Sequence, residues 1–151
     1  MTDLWPEDIR VVKEKAPVTI LREQASLLGA KTKNIVTAEV KRVTVLKRPD
    51  FCFDFYIVGP ALGNYRYKLF EIRHGIDLYP VTIELGDPEW AREVARHFEA
   101  WVKELSPGTS VQVRTEEEFV EYLRRIFESQ KTRQVIRAIL AQSGVEPDET
   151  P

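Results

Sequence analysis

Apolar residues recur at two spacings along this chain, and the spacing changes twice. Over 17–29, Ile20, Leu21, Ala25 and Leu28, with Gln24, follow a 3.6-residue repeat, which predicts a helix with one buried face. Ala16-Pro17 suits its entry, because Pro fits a first helical turn, and Gly29 suits its stop. From 34 to 85 the repeat shortens to two. Val36, Ala38 and Val40, then Val43 and Val45, alternate with a slip of phase between the groups. Such a slip predicts a bulge, or a strand that changes its buried face. Phe51, Phe53, Phe55 and Ile57 alternate with Cys52, Asp54, Tyr56 and Val58 in a second strand. Turns at Pro49-Asp50, Gly59-Pro60 to Gly63-Asn64, and His74-Gly75 bound it and the next strand, Tyr65 to Arg73; a fourth runs from Leu78 to Leu85. Short strands joined by such turns predict an antiparallel four-stranded meander.

The helical repeat returns after Gly86. Asp87 is a good N-cap with Pro88 behind it, and Trp90, Val94, Phe98, Trp101, Val102 and Leu105 share one face, predicting an amphipathic helix over 88–105. Pro107-Gly108 is a turn, and Ser110 to Arg114 reads as a short fifth strand. Thr115 followed by Glu118 fits a capping box before a helix carrying Phe119, Leu123, Ile126 and Phe127. Ser129 breaks or recaps that helix, and Val135, Ile136, Ile139 and Leu140 continue to Gly144. Helix, strands, then helices is the α+β order, not the alternation of a parallel sheet. No internal repeat or linker interrupts 17–143. The expected organisation is an N-terminal arm over 1–16 whose anchor is Trp5-Pro6, one α+β domain over 17–144, and a disordered acidic tail over 145–151.

The second strand is apolar on both phases, and an antiparallel sheet with one wet face alternates more cleanly. Either helices cover both faces, or one face meets another chain. Residues 64–73 carry the most suggestive chemistry. Alternation places Tyr65, Tyr67 and Leu69 on one face, and Arg66, Lys68, Phe70 and Ile72 on the other. Aromatic and basic groups on a sheet are what single-stranded nucleic acid needs, for stacking and for phosphate neutralisation. With Arg73, His74, Lys41 and Arg42, these residues form the candidate partner or nucleic-acid surface.

Charge changes that picture only locally. The 151 residues carry a formal charge of −2, and a dedicated nucleic-acid binder is usually basic. Residues 31–48 nonetheless hold Lys31, Lys33, Lys41, Arg42, Lys47 and Arg48 against Glu39 alone, and 129–143 hold Lys131, Arg133 and Arg137 with no acid. Such patches can steer a partner. Cys52 is the single cysteine, so no disulfide forms within the chain and a reducing, cytoplasmic setting is expected. Met1 to Glu7 lacks the apolar core of a signal peptide, and no apolar run is long enough to span a membrane.

Catalytic chemistry is sparse. His74 and His97 lie on different elements and no HxxxH or CxxC spacing occurs, so neither a metal nor another cofactor is expected. Cys52 between two phenylalanines sits where a thiolate is disfavoured, and no GxSxG or glycine-rich phosphate loop is present. Glu116, Glu117 and Glu118 suit a helix N-terminus without catalysis. Arg73-His74-Gly75-Ile76-Asp77 is the one group suited to acid–base work on a phosphodiester, although polar residues are ordinary in a turn. The leading expectation is a non-enzymatic module that binds another protein or itself, as a homodimer. The alternatives are an RNA- or DNA-binding accessory module using 31–48 and 64–73, and a small nuclease or hydrolase using His74.

Overall fold

The computed structural model describes residues 1–44, 50–95 and 109–144. Helix α1 (Pro17–Lys31) is followed by strands β1 (Thr37–Val43), β2 (Phe51–Gly59), β3 (Tyr65–His74) and β4 (Val81–Glu84), helix α2 (Pro88–Ala95), strand β5 (Ser110–Val113), and helices α3 (Glu116–Glu128) and α4 (Gln130–Gln142). The strands form one antiparallel sheet in chain order, β1-β2-β3-β4-β5. The fold is thus α+β, and the meander continues through the short fifth strand, whose Val81–Val113 and Ile83–Val111 pairs extend the sheet. The rest of the helix expected over 88–105, with His97, Phe98, Trp101, Val102 and Leu105, lies outside the described residues, as do the turn expected at Pro107-Gly108, Val45, Lys47, Arg48, Pro49 and the expected tail.

Local chemistry explains most boundaries. The Asp87 carboxylate accepts from the Glu89 N–H at 3.0 Å and caps α2. The Thr115 hydroxyl accepts from the Glu118 N–H at 3.1 Å, while the Glu118 carboxylate accepts from the Arg114 N–H at 2.7 Å, a capping box displaced by one residue. Ser129 ends α3 and caps α4. Helix α1 runs two residues past the expected stop at Gly29. Gly29 lies 3.0 Å, measured from an ideal Cβ, from the Asn34 side chain, so its lack of a side chain serves close packing. Reversal falls instead to Lys33 and Asn34, both at positive φ. Strand β4 begins at Val81 rather than Leu78, because Pro80 has no N–H to give a ladder.

The described helices and one phase of the sheet enclose a single apolar cluster. Phe53, Phe55, Ile57, Phe70, Ile72, Ile83, Val111 and Val113 meet Leu21 of α1, Trp90 of α2 and Phe119, Leu123 and Ile126 of α3. Phe55 stacks on Phe70 with ring centroids 5.0 Å apart, and Phe127 tilts against both. The apolar residues of the other phase, Cys52 and Val58, are buried but stand outside this cluster. Their cross-strand neighbours are Arg73 and Arg66 on β3, and Val43 and Thr37 on β1. Among the described residues, then, a second helical layer does not account for the two apolar phases of β2.

The phase slip expected in the first strand is absent from β1, which pairs with β2 in unbroken register from Thr37–Val58 to Val43–Cys52. The irregularity lies in β3. Phe55 faces Phe70 and Tyr56 faces Lys68, leaving Leu69 as an extra, buried residue. A bulge of this kind inverts the side-chain phase on either side of it.

Candidate interaction surfaces

The Leu69 bulge decides what the basic and aromatic segment presents. Before it, Tyr65 and Tyr67 point to the helical side; after it, Phe70, Ile72 and His74 do so. Arg66 and Lys68 share the opposite, outer face with Glu71 and Arg73. The expectation that Phe70 and Ile72 accompany Arg66 and Lys68 is therefore corrected, because strict alternation does not survive an inserted residue.

On the outer face the cations Lys41, Arg66, Lys68 and Arg73 are interleaved with the anions Glu39, Asp54, Glu71 and Glu84. Arg66 pairs with Glu39 at 3.1 Å, and Lys68 reaches both Asp54 (3.4 Å) and Glu71 (3.3 Å). Burial by itself disfavours the Lys68 cation, but Asp54 and Glu71 outweigh it and raise its pKa. Such exposed pairs add little stability, roughly 0–1 kcal/mol each. Their consequence is electrostatic: a phosphate chain laid here would meet as many carboxylates as cations. Lys41 faces Asp54 across the β1–β2 ladder, and Arg42 lies on the other phase, its guanidinium 5.0 Å from the Phe51 ring centroid.

His74 ends β3 on the helical side, stacked on Phe51 at 5.5 Å and Phe53 at 6.1 Å. Its Nδ1 lies 2.7 Å from the Gly75 carbonyl oxygen, so Nδ1–H donates there. Nε2 is buried and, among the described residues, has no hydrogen-bond partner. Asp50, Arg73, His74 and Asp77 border an open hollow of about 620 Å³ beside Thr82 and Gln112. No hydrogen bond or ion pair joins Arg73, His74 and Asp77, and at 8% exposure the imidazole has little access to a substrate proton.

Two features not singled out by residue type stand on the helical side. The first is a groove of about 590 Å³ between β3 and α4, walled by Leu62, Tyr65, Tyr67, Val135, Ala138 and Ile139, with Lys131 at its edge. Helix α4 buries only Thr132 and Ile139. The second is the arm. Trp5, expected to anchor it, is 73% exposed, and Met1, Leu4, Ile9, Val11 and Val12 are exposed as well. Attachment comes at Lys15 instead: its N–H donates to Glu116 at 2.6 Å and its carbonyl accepts from Tyr79 at 3.0 Å. Exposure of an apolar run is a tertiary property, and only Trp5 and its apolar neighbours hinted at it in the sequence.

Among the described residues no group of three or more His, Cys, Asp or Glu is placed to hold a metal ion, and no helix is long and apolar enough to cross a membrane. No protein-family model matches the chain, and no curated protein or solved structure matches it either.

Proposed function

We propose that this chain is a non-enzymatic, cytoplasmic module that acts by binding protein, a second copy of itself included, through its helical side and N-terminal arm. The observation that carries this reading is the arm, six of whose first twelve residues are exposed large apolar side chains. Water-exposed apolar side chains gathered on one segment mark a surface that another protein covers. The shallow coverage of α4 beside the β3 groove supplies a second apolar surface.

The same geometry weighs against the nucleic-acid alternative. Stacking rings and phosphate-neutralising cations must face one strand together. Here Tyr65 and Tyr67 lie on the side opposite Arg66 and Lys68, and those two cations are already paired with carboxylates. The buried Nε2 of His74 weighs against the hydrolase alternative.

Sedimentation velocity on the purified full chain across micromolar concentrations tests the proposal, with co-purification from the native host beside it. A concentration-dependent rise in sedimentation coefficient, or one stoichiometric co-purifying protein, is the expected result. A strict monomer that captures nothing would overturn it. So would tight RNA or DNA binding at physiological salt, where weak phosphate contacts are already lost.

A further inference from the structure

We infer that the N-terminal arm of one copy seats in the β3–α4 groove of a second copy, and reciprocally, so that two chains close into an arm-exchanged pair. The inference rests on the protein-binding reading above and names its partner.

Both halves of the contact are present in one chain, and their chemistry is complementary. Residues 1–9 hold Asp3, Glu7 and Asp8 and no basic side chain, with Leu4, Trp5 and Ile9 between them. The groove offers apolar walls and two tyrosines, and its lining contains Gln134, Gln142 and Lys131, the last within 3.9 Å of Asp87, but no carboxylate of its own. Helix α4, which forms one wall, adds Arg133 and Arg137 and carries no acid. An acidic apolar segment thus finds apolar surface, hydrogen-bonding amides and a cation together. The other large hollow near the arm, where Glu14, Asp77, Glu116 and Glu117 outnumber Lys13 and Arg114, suits an acidic segment less well.

Reach argues for a second copy rather than for the arm's own groove. Lys15 is fixed by Tyr79 and Glu116, at the end of the sheet where β3 finishes and β4 begins. The groove lies at the other end of β3, beside Tyr65 and Tyr67. From His74 back to Tyr67 the strand covers roughly 23 Å. Ile9 precedes Lys15 by six residues, roughly 20 Å at full stretch, and falls short, while Trp5, ten residues before Lys15, spans roughly 33 Å and reaches only if the arm straightens. The arm also keeps a turn, with the Ile9 N–H donating to Pro6 at 3.3 Å and the Val11 N–H to Asp8 at 2.9 Å, which shortens it further. A partner's arm has no such limit.

The area is sufficient. A buried Trp covers about 150–250 Å² and a Leu or Ile about 100 Å². Leu4, Trp5 and Ile9 would together withdraw roughly 400 Å² from water at each contact, and the groove walls less. Two reciprocal contacts then bury roughly 1,100 Å², just above the lower bound for a specific interface. Identical contacts related by a two-fold axis close the pair and leave no free arm to propagate a chain.

Two exposed positions give variants that keep their fold: Trp5→Ala in the arm and Ala138→Glu in the groove. Sedimentation velocity is run on the wild-type full chain, on each variant, and on their equimolar mixture. The wild type is expected to pair at micromolar concentration, and each variant to associate at least tenfold more weakly. The mixture is expected to regain pairing, because the intact arm of the Ala138→Glu copy fits the intact groove of the Trp5→Ala copy. Wild-type affinity in the Trp5→Ala variant would overturn the exchange while leaving self-association standing. A monomeric wild type would also overturn it. If that monomer binds a different protein, the wider protein-binding reading survives; if it binds nothing, both fail.

Discussion

Breaking the bond between the Trp90 indole and the Ser129 hydroxyl tests how the helical layer is tied together. The Nε1–H of Trp90 donates to Ser129 Oγ at 2.9 Å, and both residues are buried. Ser129 Oγ in turn donates to the Ile126 carbonyl at 2.7 Å and caps α4. One hydroxyl therefore joins α2, α3 and α4. Trp90→Phe removes the donor and some volume; a net hydrogen bond is worth about 1 kcal/mol, and the smaller ring adds a comparable packing loss. Ser129→Ala removes the cap, at about 1 kcal/mol, and leaves a buried indole N–H unpaired, at about 1–3 kcal/mol. The single changes should thus cost about 2 and about 2–4 kcal/mol. In the double variant no unpaired N–H remains, so the sum should overshoot the measured loss by about 1–2 kcal/mol. Urea unfolding of the four proteins measures this through the midpoints, provided the slopes agree. Each kcal/mol should also move the thermal midpoint by about 2–4 °C in a chain of this length. Additivity to within about 0.5 kcal/mol would refute the bond and the role assigned to Ser129.

Three further outcomes are expected. Phe55→Ala, at the centre of the Phe55–Phe70–Phe127 group, should cost about 3–5 kcal/mol in urea unfolding, while Gln134→Ala in the groove, an exposed position, should stay within about 0.5 kcal/mol. Burial first, then the charge of Glu84, pushes the Tyr122 phenol above its ordinary value, and burial with Glu116 and Glu14 does the same for Tyr79. A raised phenol favours the neutral form in the fold, so this stability is whole below about pH 10 and is lost as pH rises beyond it. Thermal midpoints followed with tyrosinate absorbance should fall above that pH, and Tyr122→Phe should flatten the fall; an unchanged slope would remove Tyr122 as a cause. Cys52 is buried at 1% exposure and should react with thiol reagents slowly in the native protein and rapidly once it unfolds. Rapid native labelling would mean that the outer face of β2 opens.

The segments legible in the sequence are those written by local rules. Period two marked β2 and β3, period 3.6 marked α1 and α3, and Asp87, Thr115 and Ser129 announced caps through their own side-chain oxygens. A cap or a repeat depends on residues within one or two turns, so the chain alone determines it. Register depends on a partner strand, and only tertiary structure decided it. Nothing within residues 64–73 distinguishes Leu69 from its neighbours as the inserted residue; its status follows from Phe55 meeting Phe70 while Tyr56 meets Lys68. That single insertion moved Phe70 and Ile72 off the face of Arg66 and Lys68 and onto the helical side, and so recast the candidate surface. Cross-strand pairing likewise placed Glu39 beside Arg66 and Asp54 beside Lys68, neutralising charges that look free when counted along the chain. Coverage was the last thing the packing decided. Trp5, as apolar as Trp90, stays in water because the arm leaves the body at Lys15, whereas Trp90 is held under α3 and α4 by the Ser129 hydroxyl and the core around it.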